Sequence, residues 1–382
     1  MRIFKNARVI FPDKIRDCIV VTENGKIIDI CDRFNEAEAS DIIDCKGLYL
    51  SPGFVDIHVH GGGNKSAMSE NHLDIIDMAE AHLRHGTTSI VPTTLASPIE
   101  QLKRVTLSVK KASEESKSAS ILGIHYEGPY ISKKYKGAQS EDNILNPDIC
   151  PPDELFELWD KVLIMGAAPE EKGVLALGDK LKKHNIVGSI AHSAASYEQV
   201  EEALNHGFSD ITHIYNACTS CFKTGPFRTA GVVEAGLSID DISVQVIGDL
   251  KHLPLGLLKL LYKCKGDEKM YLITDGLEYS ASEIEDNTII TQENGIQVVC
   301  EDGVMLLADK SALAGSIATL KDCVKNMYKS AGVPLYSAVK MASLTPASVV
   351  GYGDTKGQIK IGYDADLILF DESIEIKNVF TK

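Results

Sequence analysis

No stretch of the 382-residue chain approaches the roughly 18 to 20 consecutive apolar residues that a membrane span needs, and the opening MRIFKNARVIF scatters its charges where a secretory signal would hold an unbroken apolar run. These absences point to a cytoplasmic protein with no membrane partner. Positive charge is also short: 39 Lys and Arg stand against 54 Asp and Glu, a net charge of −15, which argues against a nucleic-acid partner. If the substrate is an anion, a few cationic side chains must gather locally against that overall field. Low-complexity tracts and internal repeats are missing, and 44% hydrophobic with 24% charged residues is the profile of a globular chain long enough for a large core. The nine cysteines are odd in number and dispersed, so at least one cannot pair, in keeping with a reducing compartment. Cys218 and Cys221 form the one CxxC, and without a second pair at similar spacing it does not make a tetrahedral cysteine site.

What is present is a change of rhythm near Pro52. Before it come short strands broken by turns, including CIVVTENGKIIDI around an Asn24-Gly25 hairpin signal. After it, apolar β-rich runs alternate with helical stretches. The runs are FVDIHVH, TSIVP, ILGIHYE, VLIMGAA, IVGSIAH, DITHI, ISVQVIG and MYLITD, eight in all, which predicts an α/β fold with a closed (β/α)8 TIM barrel over residues 51–354. Between the first two, HLDIIDMAEAHLRHG predicts a helix with Leu73, Ile76, Ala79 and Leu83 on its inner face and Gly86 at its C-terminal cap. Residues 280–310 read as inserted hairpins. The closing GQIKIGYDADLILFD returns to strand character and is expected to pair with the N-terminal strands, so residues 1–50 and 355–382 together build a small β-sandwich domain.

The ionisable residues fall at the ends of these strands: His58 and His60 on the first, Glu127 on the third, His192 on the fifth, His213 on the sixth, Asp249 and His252 after the seventh, Asp275 on the eighth. In a barrel of parallel strands those ends meet at one mouth, where TIM-barrel active sites sit. Singly, each has an ordinary reading: a packed histidine, a turn carboxylate before Gly128-Pro129, a turn aspartate before Gly276. Jointly they predict a metal site. Imidazole and carboxylate suit zinc, iron or manganese, and a site with an open position lowers the pKa of a bound water toward about 7. No lysine stands at the end of the third or fourth strand to serve as a carbamylated bridge, so Glu127 takes that place, and Asp275 is the candidate proton acceptor.

Taken in order, PGFVDIHVHGGG, IHYEGPYISKKYKGAQ, AHSAA, THIYNA, TDGLEYSA, LAGS and ASLTPASVVGYGDTKGQIKIGYDADLILFD resemble the N-acetylglucosamine-6-phosphate deacetylase family of the amidohydrolase superfamily over nearly the whole chain. The resemblance implies hydrolysis of an N-acetyl amide on a 6-phosphorylated amino sugar by a homodimer holding one or two divalent ions, zinc or iron. It implies Glu127, His192 and His213 as metal ligands, the His58 and His60 pair as the place of a second ion, and Asp275 as catalytic acid and base. It further implies Asn216 and Ala217 at the sugar and phosphate, with Arg228 and His252 on the phosphate, partly across the subunit interface. Gln139 stands where the family's KGAH motif has a substrate-lining histidine, and an amide can donate a hydrogen bond but cannot shuttle a proton. Open alternatives are the galactosamine epimer, a related acyl amino sugar, or a D-aminoacylase or cyclic-imide hydrolase.

Overall fold

Asn24 and Gly25 both take positive φ, 49° and 71°, the conformation that lets a two-residue turn match the twist of its strands. The turn joins Ile15–Glu23 to Lys26–Cys31, and the first of these also pairs with Arg2–Ile10. The computed structural model describes residues 1–35, 39–291, 297–310 and 313–381. The two chain ends meet as the sequence predicts: Leu367–Phe370 runs antiparallel to Tyr49–Pro52 and carries Ile376–Phe380 on its other edge, completing a seven-stranded sheet. A buried ionic cluster fastens this sheet to the barrel. Lys356 Nζ lies 2.6 Å from Asp366 and 3.0 Å from Asp364, and it also donates to Ser120 Oγ, so the closing YDADL motif has a structural task.

The eight predicted barrel strands all form: Phe54–Val59, Thr87–Thr94, Ile124–Glu127, Val162–Ala167, Val187–Ile190, Phe208–Ile211, Ser243–Ile247 and Met270–Ile273. Neighbours along this order pair in parallel. The eighth strand returns to the first through a parallel bridge between Val59 and Gly276, with Asp275 N donating to His58 O and His60 N to Gly276 O. Asp56 adds a side-chain clasp across the same seam, accepting from Thr274 Oγ1 at 2.6 Å. These strands are buried on both faces, which is why they read as apolar runs without alternation. Val55, Ile57, Val91, Ile164, Ile247 and Ile273 form a cluster with Ala347 and Val350 of the helical segment near the strand starts.

The first barrel helix, His72–Leu83, packs Ile76, Ala79 and Leu83 against the core as the spacing indicated, but not Leu73. Ile75, Met78, Ala79 and His82 are inside, while Leu73 is 53% exposed. Two apolar series interleave in this segment, and the more deeply buried one carries His82, whose Nε2 donates to Gly61 O at 2.9 Å. Gly86, at φ 90°, supplies the left-handed turn beyond the helix end. The inserted region forms a three-stranded sheet, Ile289–Thr291, Gln297–Glu301 and Val304–Leu307; its first turn lies outside the described residues. No described helix is long and apolar enough to cross a membrane.

Candidate active site

Three of the strand-end residues turn the chain through left-handed backbone: φ is 46° at His192, 26° at His213 and 49° at Asp275. Non-glycine residues adopt this region rarely, and such strain is characteristic of positions held for a function. Gly61 has a local reason of its own: a Cβ there would fall 2.6 Å from the backbone of Glu278, so the loop after His60 can approach the eighth strand only with glycine.

Glu127 is the centre of the constellation. Its Oε1 lies 2.8 Å from His213 Nε2, 3.1 Å from His192 Nε2 and 3.5 Å from His58 Nε2; its Oε2 lies 3.3 Å from His60 Nε2. Asp275 Oδ1 lies 3.1 Å from His60 Nε2 and 3.4 Å from His58 Nε2. The ligand atoms form two groups sharing Glu127, namely His58, His60, Glu127 and Glu127, His192, His213, each set lying within 4.8 Å. Two of the rings are oriented by backbone: His60 Nδ1 contacts Thr93 O at 3.0 Å and His192 Nδ1 contacts Tyr135 O at 2.8 Å, which leaves each Nε2 turned toward the carboxylates. A buried N/O donor set in which the outer ring nitrogens of His58, His60 and His192 have partners fits a divalent cation.

The electrostatics point the same way. Burial alone would raise Glu127, but His192 and the other imidazoles hold its carboxyl well below the usual range. Asp275 is likewise opposed by burial, yet the hydrogen bond from His60 and the charges of His58 and His60 bring it down to about 2. Burial would lower His60, whereas its bonds to Asp275 and Glu127 hold it up at about 10. Burial dominates at His58 and takes it down to about 4. Two anionic carboxylates among clustered imidazoles form a centre that attracts positive charge, by proton or by metal ion.

Above this group lies a cavity of about 210 Å³ lined by His60, Glu127, Gln139, His192, His213, Asn216, Ala217, His252 and Asp275, among others. His252 is held in place by Asp249, whose Oδ2 lies 2.6 Å from its Nδ1. Gln139 is placed in a way its sequence position does not disclose: Nε2 donates to Glu127 Oε2 at 2.7 Å, and Oε1 accepts from Ala96 N at 2.9 Å. Its amide is therefore spent on holding the central carboxylate, although the side chain also lines the cavity. Arg228 is not brought to this cavity within the chain. It sits exposed on the hairpin Phe222–Thr224 and Phe227–Thr229, beside a Phe227 that is 74% exposed. Cys218 and Cys221 are both free thiols, as is each described cysteine.

Sequence reading overlooked a polar layer beneath the histidines. Asp210 accepts from Ser189 Oγ at 2.7 Å, Gln245 Nε2 at 2.8 Å and Tyr271 OH at 2.8 Å, all buried. The available signal was a Gln and an Asp inside runs otherwise read as buried strand, which must find partners. Burial pushes the Asp210 carboxyl up to about 6 against its three hydrogen bonds. The unfolded chain ionises it near 3.8, so its contribution to stability is fully present below about pH 4 and is lost as pH rises through about 6. Asp210→Asn abolishes that dependence. Denaturant melts from about pH 4 to about pH 7 should show the variant gaining about 3 kcal/mol on the wild type, and parallel curves would contradict the buried-carboxyl account.

The amidohydrolase family model matches residues 49–382. N-acetylglucosamine-6-phosphate deacetylase of Lysinibacillus sphaericus is 31% identical over 92% of this chain and 89% of its own length. N-acetylgalactosamine-6-phosphate deacetylase of Escherichia coli O157:H7 is 29% identical over 87% of this chain and 86% of its own. The crystal structure of N-acetylglucosamine-6-phosphate deacetylase from Thermotoga maritima superposes with a TM-score of 0.85 at 31% identity, covering 99% of this chain and 98% of that one. With the barrel and its strand-end constellation, these likenesses make the chain a member of the amidohydrolase family.

Proposed function

We propose that this chain is a metal-dependent deacetylase of N-acetylglucosamine 6-phosphate, releasing acetate and glucosamine 6-phosphate, and that it works in the cytoplasm as a homodimer. The observation that carries the reading is the Glu127-centred group beneath a cavity that also holds Asn216, Ala217 and His252, in a chain 31% identical to a named deacetylase over 92% of its length. The division at residues 50 and 354 into a terminal sheet domain and a barrel domain belongs to the same proposal. Zinc or iron, one ion or two, is the cofactor.

Glu127, His192 and His213 would hold one ion, and His58, His60 and Glu127 a second. When bound, a divalent ion acidifies water and polarises the amide carbonyl. Asp275 Oδ1, anionic and beside His60, takes the proton of the attacking water and returns it to the leaving nitrogen. His252 and Asn216 bind the phosphorylated end at the outer wall. The balance is one amide and one water giving one carboxylic acid and one amine.

Acetate release should be measured on the 6-phosphates of N-acetylglucosamine, N-acetylgalactosamine and N-acetylmannosamine, with zinc, iron(II) and manganese supplied separately. The glucosamine isomer should have the highest kcat/KM; absence of acetate from all three would sink the proposal, and preference for the galactosamine isomer would redirect it.

Arg228 serves the neighbouring subunit in this reading, since its hairpin carries it outward on an exposed surface. Arg228→Ala should raise KM for the phosphorylated sugar roughly 10- to 100-fold, the worth of one charge-assisted hydrogen bond, with kcat little changed. Mixed dimers of Arg228→Ala and Asp275→Asn chains should recover a low KM at the site whose own Asp275 is intact. Failure to recover would place the arginine's action within its own subunit.

A further inference from the structure

The layer under the histidines has a direction. Asp210 accepts from Ser189, Gln245 and Tyr271, and a carboxylate accepts only, so the Gln245 amide must present its NH2 to Asp210. The Gln245 carbonyl is then turned the other way, and it lies 2.7 Å from His58 Nδ1. An acceptor at that distance requires the hydrogen of a neutral imidazole to sit on Nδ1. The bare Nε2 is left facing His60 Nε2 at 3.1 Å, Asp275 Oδ1 at 3.4 Å and Glu127 Oε1 at 3.5 Å.

We propose that Gln245 is a positioning residue which, oriented by Asp210, fixes the tautomer of His58 and so makes the His58, His60 and Glu127 group able to take a cation. Gln245 touches neither substrate nor ion; it acts through the ring of His58. Of the other histidines beside Glu127, His60 is held by Thr93 O and His192 by Tyr135 O, while His213 Nδ1 has no hydrogen-bond partner, so the effect of Gln245 is confined to one half of the centre. The inference deepens the metal-centre reading and rests on it for its consequence, although the tautomer itself is independent of any ion.

The test therefore has a metal-free arm and a metal arm. In metal-free protein labelled with nitrogen-15, long-range proton–nitrogen spectra should show His58 as the Nδ1–H tautomer, its signals identified by their loss in His58→Gln. Gln245→Met should abolish that tautomer preference. Gln245→Glu should restore it, because a carboxyl sharing its proton with Asp210 still offers an oxygen to His58. Zinc titrations against a competing chelator should show the second ion bound roughly 10- to 100-fold more weakly in Gln245→Met, with the first ion unchanged and the Glu variant near the wild type. A wild-type His58 found as Nε2–H or as imidazolium overturns the proposal, and so does an unchanged second-ion affinity in Gln245→Met. Failure of the wild type to bind any ion would instead remove the metal-centre reading while the spectra still decide the relay.

Discussion

Asp275→Asn should lower kcat roughly 10³-fold while leaving metal content and KM within a few-fold of the wild type, the signature of a group needed for proton transfer and not for binding. The substitution is chosen because asparagine keeps the shape and the backbone anchors: the amide N of residue 275 still donates to His58 O, and its carbonyl still accepts from Ser316 N. What disappears is basicity. The wild-type carboxylate, held down at about 2 by His60 and its neighbours against the effect of burial, is ionised at any working pH, and among the described residues no other carboxylate lining the cavity is free of the candidate ligand groups. Glu127 belongs to both groups and cannot substitute. Metal analysis on the same preparation separates loss of the base from loss of an ion. Residual kcat within tenfold of the wild type, with metal retained, would remove Asp275 from the proton path.

Much of this framework could be read from the chain because barrel strands advertise themselves: eight apolar runs, several ending on or followed by an ionisable residue, translate directly into eight parallel strands with one polar mouth. His58, His192, His213 and Asp275 were legible because their place depends on strand direction alone. What escaped reading depends on the closed geometry. Asp210, Gln245 and Tyr271 lie on three successive strands, but only barrel closure brings His58 of the first strand to Gln245. Gln139 meets Glu127 across a loop whose path the sequence does not encode locally. Arg228 was placed by motif beside a phosphate, yet its own chain carries it on an exposed hairpin. In the helix His72–Leu83 only Leu73 departs from the expected inner face: it is exposed, while the deepest burial falls on Ile75, Met78, Ala79 and His82, whose ring bonds Gly61 O.

The larger loss should come from Glu127. Four imidazole Nε2 atoms lie 2.8 to 3.5 Å from its carboxylate, and both candidate ligand groups contain it. Glu127→Gln replaces one of two acceptor oxygens by an NH2 that cannot ligate, and it removes the charge that draws cations to a buried site. Metal per subunit should fall toward zero and kcat/KM should drop by roughly 10⁴-fold or more, comparable with loss of the entire catalytic unit. The comparison that gives this meaning is His192→Gln. That change breaks one group and spares His58, His60 and Glu127, so it should cost part of the metal and leave the remainder. If Glu127→Gln and His192→Gln lose the same fraction of metal, Glu127 is a ligand of a single ion and not the bridge on which both halves of the centre depend.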